Sequence, residues 1–272
     1  MVLQLPLTNQ TDHGYWLVGG DGGIFSFGSA QFHCSTGSLK LQRPVVGITP
    51  TSSRQGYWLV VSDRGVFAFG DAGFYGSFPE LGFAPAGTAQ SAPTLSAPIV
   101  GMVPSSDGAS YFMVSSDGGV FAFGDAHFAG SCPGIGGCQG SAVSVIPDAS
   151  GHGYWVTTST GNVYAFGDAP YYGAPGIQTS PVISAVRTPD GGGYWILLAN
   201  GTVFNYGDAE YLGGTSGFGG INPTNTIFAT ADGGGYWLAA ANGAVDSYGD
   251  APNDGGMAAA HLNAPVIAAT GW

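Results

Sequence analysis

The chain holds 15 aspartates and two glutamates, and carboxylates are the natural starting point because glycoside hydrolysis needs two of them on either side of a scissile bond. Twelve recur at three kinds of place. Asp21, Asp63 and Asp117 stand in short turns, and Asp71, Asp125, Asp168, Asp208 and Asp250 belong to a repeated Gly-Asp-Ala. Asp107, Asp148, Asp190 and Asp232 precede a repeated aromatic pair. Aspartate at such places accepts hydrogen bonds from nearby backbone N–H groups, so a structural role is expected for this set. Calcium, a hard cation that takes oxygen ligands, is the one cofactor the Gly-Asp-Ala loops could serve. There is no aspartate-rich loop of the EF-hand kind, so no cofactor and no metal site are expected. Asp12, Glu80, Glu210, Asp246 and Asp254 lie outside the pattern. The five histidines have no metal-ligand spacing, and no serine has the surroundings of a nucleophile elbow. The glycine-rich stretch 213–220 has no following lysine to make a phosphate loop. No catalytic residue is assigned. Cys132 and Cys138 bracket a flexible Pro-Gly-Ile-Gly-Gly and are expected to form a disulfide; Cys34 is left as a free thiol.

The elements that hold these residues repeat. Six copies of one phrase begin at Gly14, Gly56, Ser110, Gly153, Gly193 and Gly235, spaced 42, 54, 43, 40 and 42 residues apart. A period near 40 means one supersecondary unit that must stack on its neighbours to bury its faces. The second copy with its lead-in reads as four short strands, at 44–49, 57–61, 66–69 and 74–77, rich in Val, Phe, Tyr and Trp. Between the second and third strands stand Asp-Gly, Asn-Gly or close variants, which supply the positive φ of a tight hairpin. Both faces of Val66–Phe69 and of Tyr57–Val60 are apolar, so each small sheet is covered on both sides. That pattern predicts an all-β fold, a six-bladed β-propeller of four-stranded antiparallel blades spanning residues 1–272 as one domain. The tail Ala264–Thr270 resembles the lead-ins at 97–102 and 44–48 but has no repeat to start. It is expected to pair in the first blade and close the ring. Trp16, Trp58, Trp155, Trp195 and Trp237 occupy matched strand positions and are expected in the core between blades, not as sugar-stacking platforms.

Composition narrows the function. The formal net charge is −12 with five Lys and Arg, and only 8% of residues are charged. Nucleic-acid binding needs clustered cations to displace counterions, so nucleic acid and anionic membrane surfaces are excluded as partners. No apolar run approaches the ~20 residues of a membrane span. The first 16 residues lack a basic region followed by a long apolar one. The low lysine content and abundant Gly, Ser, Thr and Tyr lead us to expect an extracellular or cell-surface segment carrying an added start methionine.

The phrase GYWLVxSDGGVFAFGDAxFYGS resembles a tandem repeat of secreted and cell-surface proteins of actinobacteria, and the likeness covers residues 14–272. It implies β-propeller blades of the kind appended to cell-wall-acting or other extracellular enzymes, and carries over no catalytic residue. Ser29 replaces the aspartate of Gly-Asp-Ala in the first copy, Thr160-Gly161 replaces Asp-Gly in the fourth, and Asp246 replaces an aromatic in the sixth. A weaker likeness to the Asp-box of sialidase-type propellers at Ser115–Phe121 is shared turn chemistry, since the aromatic falls one position early.

Departures from repetition mark the candidate binding surface. The insertion 78–98, with Glu80, Leu81 and Phe83, and the Cys132–Cys138 loop both follow the fourth strand, so both emerge on one face. Tyr75 and Tyr172, near the outer strand, are expected to be partly exposed. These features predict a monomeric, non-catalytic recognition or scaffold module for a cell-envelope glycan or a protein partner. The alternatives are a glycoside-hydrolase-like enzyme with carboxylates at the channel mouth and a purely structural spacer.

Overall fold

A computed structural model describes residues 13–78, 95–215 and 223–272. Within these the chain is all-β, with a 3-10 turn at Cys132–Ile135. Two strands open the chain, β1 (Gly14–Gly19) and β2 (Ile24–Gly28). Five sets of three follow: β3 (Val45–Pro50), β4 (Gly56–Val61) and β5 (Val66–Gly70); β6 (Ile99–Pro104), β7 (Tyr111–Ser115) and β8 (Val120–Phe123); β9 (Ala142–Pro147), β10 (Gly153–Thr158) and β11 (Val163–Gly167); β12 (Val182–Arg187), β13 (Gly193–Leu198) and β14 (Val203–Gly207); β15 (Thr224–Ala229), β16 (Gly235–Ala240) and β17 (Val245–Gly249). The last strand, β18 (Val266–Gly271), pairs antiparallel with β1, so the chain ends complete the first sheet. The result is six antiparallel three-stranded sheets.

The middle strand of every sheet is buried from end to end, as Tyr15 to Val18 and Tyr194 to Leu198 illustrate. The first strands neighbour one another in the order β18, β3, β6, β9, β12, β15 and back to β18. Together they line a cavity of about 250 Å³, whose walls come from all six. Six apolar clusters fill the seams between adjacent sheets. One seam joins Tyr15 and Leu17 of the first sheet to Trp237 and Ala239 of the last. The five repeated tryptophans are buried to within 1%, and each such side chain contributes about 1.5–3 kcal/mol by leaving water.

The hairpins form as the dipeptides require. Gly22, Gly118, Gly161, Gly201 and Gly243 have φ between 79° and 84°, and in the second copy Arg64 takes the same left-handed place at φ 85°. The glycine that ends the third strand is also left-handed, with φ 67° at Gly70 and 69° at Gly207. A Cβ on Gly207 would stand 2.2 Å from the carbonyl oxygen of Gly192. No other residue type fits there without moving backbone.

The expected fourth strand is a correction. Residues 74–77 and their counterparts in the other copies run outside the third strand without joining its ladder. Side chains fasten this outer segment instead. The indole Nε1 of Trp16, Trp58, Trp155, Trp195 and Trp237 donates to the carbonyl 15 residues ahead in the same copy, at 2.6–2.9 Å. The tyrosine before it donates to the outer segment of the preceding copy: Tyr57 to Cys34, Tyr111 to Gly76, Tyr154 to Gly130, Tyr194 to Gly173 and Tyr236 to Gly213. Tyr15 continues the series by donating to Gly255 of the sixth copy at 2.5 Å. Burial raises the phenols of Tyr57, Tyr154 and Tyr194, and also those of Tyr15, to about 12, where the charge of Asp254 adds, and of Tyr236, to about 12. Phe112 stands in for tryptophan in the third copy.

Candidate functional site

Antiparallel pairing puts the turn from first to second strand at the same end of each sheet as the exit of the third strand. Turns of successive copies touch: Gly108 lies against Ser52, Gly151 against Ser106, Gly191 against Ala149 and Gly233 against Pro189. This end carries Asp107, Asp148, Asp190 and Asp232, the turn aspartates between first and second strands, together with the Gly-Asp-Ala aspartates. The other end carries the tight hairpins, the Cys132–Cys138 loop and the entry to each new copy.

At the aspartate end the carboxylates are held by hydroxyls and backbone N–H groups. Thr51 and Ser53 donate to Asp71 at 2.8 and 2.5 Å. Ser150 bridges Asp148 and Asp168 at 2.7 and 3.0 Å. The Ser105 hydroxyl and the Ala109 N–H hold Asp107 below the usual carboxylate range. The Gly192 N–H and the Thr188 hydroxyl do the same for Asp190, and the Thr230 hydroxyl and the Gly234 N–H for Asp232. In the last three copies the turn aspartate and the Gly-Asp-Ala aspartate are thereby brought together. A glycosidase acid needs the opposite environment, one that raises its pKa.

Two arginines stand at this end. Arg54 lies over the ring of Trp272, 5.4 Å from its centroid. Arg187, at the end of β12, donates to the carbonyl of Pro189 and faces the charges of Asp148 and Asp190. His13 and Asp254, from the first and last copies, meet at 2.8 Å. The rings of His127 and His152 lie 6.0 Å apart. Among the described residues no group of three or more His, Cys, Asp or Glu could hold a metal ion.

The expected site residues separate. Glu80, Leu81 and Phe83 lie outside the described residues. Tyr75 and Tyr172 are half-buried, with Tyr75 against Trp58 and Tyr111 and Tyr172 against Trp155 and Tyr194. Cys132 and Cys138 approach to sulfur–sulfur bonding distance with Cα atoms 5.1 Å apart, and Cys34 is free and exposed.

Sequence reasoning missed the residues just before those two tyrosines and their counterparts in three other copies. Phe32, Phe74, Phe128, Tyr171 and Tyr211 are 60, 50, 54, 62 and 54% exposed. All occupy one register position, three residues after the Ser or Asp of the Gly-Asp-Ala phrase, in five of six copies; Asn253 takes it in the sixth. In two of these copies the signal was a doublet in the outer segment, Phe74-Tyr75 and Tyr171-Tyr172. Its second ring turns inward to seal the seam, so its first is left in solvent.

No family model matches the sequence, and no curated protein is similar to it. Solved structures do match the fold. The Cps50 (Swd1) β-propeller domain of Myceliophteria thermophila superposes with a TM-score of 0.53 over 89% of this chain and 80% of that one, at 8% identity. The fold is therefore propeller-like. Among the described residues no helix is long and apolar enough to cross a membrane.

Proposed function

We propose that the chain is a single, closed, six-bladed β-propeller that serves as a non-catalytic recognition or scaffold module outside the cell. The observation that carries this reading is the use made of the repeated polar groups. Tyrosine and tryptophan donors fasten the outer segments, including the contact from Tyr15 to Gly255 that joins first and last copies. The turn carboxylates stabilise their own loops. A disk built this way is rigid and presents outward only what its loops and rim carry. The Cys132–Cys138 pair, as a disulfide, suits an oxidising compartment. The partner is a cell-envelope glycan or a protein, and the module is monomeric.

Retention on isolated cell-envelope fractions, with a monomeric elution volume in size-exclusion chromatography, is the expected result. Failure to bind any envelope fraction would reduce the protein to a spacer. One observation favours a second reading, a hydrolase: the paired aspartates of the last three copies. Release of reducing sugar from envelope polysaccharide, abolished by Asp168→Asn, would establish it. The depressed carboxyls favour the non-catalytic reading.

A further inference from the structure

Five exposed aromatic rings at one register of successive sheets are not part of the core, and they are not scattered singly as ordinary surface hydrophobics are. Each sits on the outer segment just beyond the third strand, so the set is distributed around the aspartate rim. Four of the five have an exposed Gly-Asp-Ala carboxylate three residues before them: Phe74 has Asp71, Phe128 has Asp125, Tyr171 has Asp168 and Tyr211 has Asp208. Glu210 adds a further exposed carboxylate beside Tyr211. The two arginines of this end lie against Trp272 and between Asp148 and Asp190, so the rim is strongly anionic. An exposed ring three residues from an exposed anion can serve an organic ammonium group, which is attracted both to a carboxylate and to a π face. The pair recurs copy by copy, which fits a ligand that itself repeats.

We propose that the aspartate rim is a multivalent binding surface for a polysaccharide of amino sugars bearing free, protonated amines, with pyranose faces on Phe74, Phe128, Tyr171 and Tyr211 and ammonium groups on the neighbouring carboxylates. This rests on the scaffold reading and names its ligand class. Each platform binds weakly, and linkage along the chain multiplies the effect. Charge complementarity excludes acidic polysaccharides and favours low ionic strength. A basic protein segment shares the charge but not the repetition, and is the competing occupant.

The test is affinity electrophoresis of the intact chain in native gels containing glycol chitosan, its N-acetylated counterpart glycol chitin, or hyaluronate, with synthetic oligolysine as a fourth probe. Retardation by glycol chitosan is expected at least about tenfold stronger than by glycol chitin, with none by hyaluronate. The quadruple variant F74S/F128S/Y171S/Y211S should lose at least about tenfold in affinity, as avidity collapses to isolated contacts. Because these rings are exposed, its thermal midpoint should stay near that of the parent, and D168N/D208N should weaken binding while keeping the fold. Equal binding of glycol chitin, or full retention of binding by a folded quadruple variant, overturns the proposal. Retardation by oligolysine without glycol chitosan overturns the ligand class and leaves the scaffold reading standing. No retardation by any of the four, together with release of reducing sugar from envelope polysaccharide, overturns both.

Discussion

Replacing Tyr194 by phenylalanine removes one oxygen from a seam and leaves the ring. The hydroxyl donates to the Gly173 carbonyl at 2.6 Å, and the ring, fully buried, packs against Trp155 and Tyr172. A hydrogen bond of this kind contributes about 0.5–1.5 kcal/mol net, since the unfolded chain bonds to water instead. For a domain of this size each kcal/mol moves the thermal midpoint by roughly 2–4 °C, so Tyr194→Phe should lower it by a few degrees. Tyr194→Ala should cost about 3–5 kcal/mol, because it leaves an aromatic cavity as well. Urea denaturation followed by tryptophan fluorescence separates the two. Tyr15→Phe, at the junction of first and last copies, belongs to a different seam and should add to Tyr194→Phe within about 0.5 kcal/mol. A midpoint for Tyr194→Phe equal to that of the parent would refute the claim that tyrosine donors take the place of a fourth ladder. So would a loss as large as that of the alanine variant, since packing would then be the whole effect.

Alkaline pH should weaken the fold through the same residues. Phenols titrate near 10 when unfolded, whereas burial holds Tyr15, with help from the Asp254 charge, and Tyr236 at about 12. A raised phenol pKa favours the folded state fully below pH 10, and that contribution is lost as pH rises from 10 through 12. Denaturant midpoints measured from pH 8 to 11.5 should therefore fall only above pH 10, in step with tyrosinate absorbance. Gly207→Ala should destabilise by several kcal/mol, since φ is 69° and the new Cβ would meet the Gly192 carbonyl; a thermal midpoint within a degree of the parent would contradict this. Thiol titration under denaturing conditions should find one reactive cysteine, Cys34, before reduction and three after, and three before reduction would show the Cys132–Cys138 pair to be reduced.

Much of this architecture was legible because the repeat writes its local chemistry openly. Asp-Gly and Asn-Gly marked the hairpins, matched tryptophans marked the buried middle strand, and an orphan lead-in at Ala264–Thr270 marked the strand that completes the first sheet. The fourth strand was misread because Phe74–Ser77 has the apolar texture of a strand, while its backbone partners are side chains from elsewhere. Trp58 donates to the Gly73 carbonyl in the same copy, and Tyr111 of the next copy to that of Gly76. Such partners lie 15 to 35 residues away, beyond what local propensity can register. The more exposed rings were not singled out beforehand: Tyr75 and Tyr172 are half-buried against Trp58 and Trp155, and the residues before them, Phe74 and Tyr171, stand further out in solvent.

Internal repetition also separates stability from recognition more cleanly than a single copy could. A residue present in every copy and buried in every copy, such as Tyr194 or Tyr236, is explained by the seam it seals. A residue repeated in five copies and exposed in all five has no such explanation, because its burial contributes nothing. The sixth copy supports the distinction. There Asn253 replaces the exposed ring and accepts from the Gly255 N–H, and Asp254 replaces the inward residue and bonds His13 across the junction. Where first and last copies must be joined, the outer segment is given over to fastening, and the exposed ring is the feature that disappears. The sixth copy thus keeps its buried tyrosine and tryptophan and their hydrogen bonds without the exposed ring, which supports a role for the other five rings in what the rim touches.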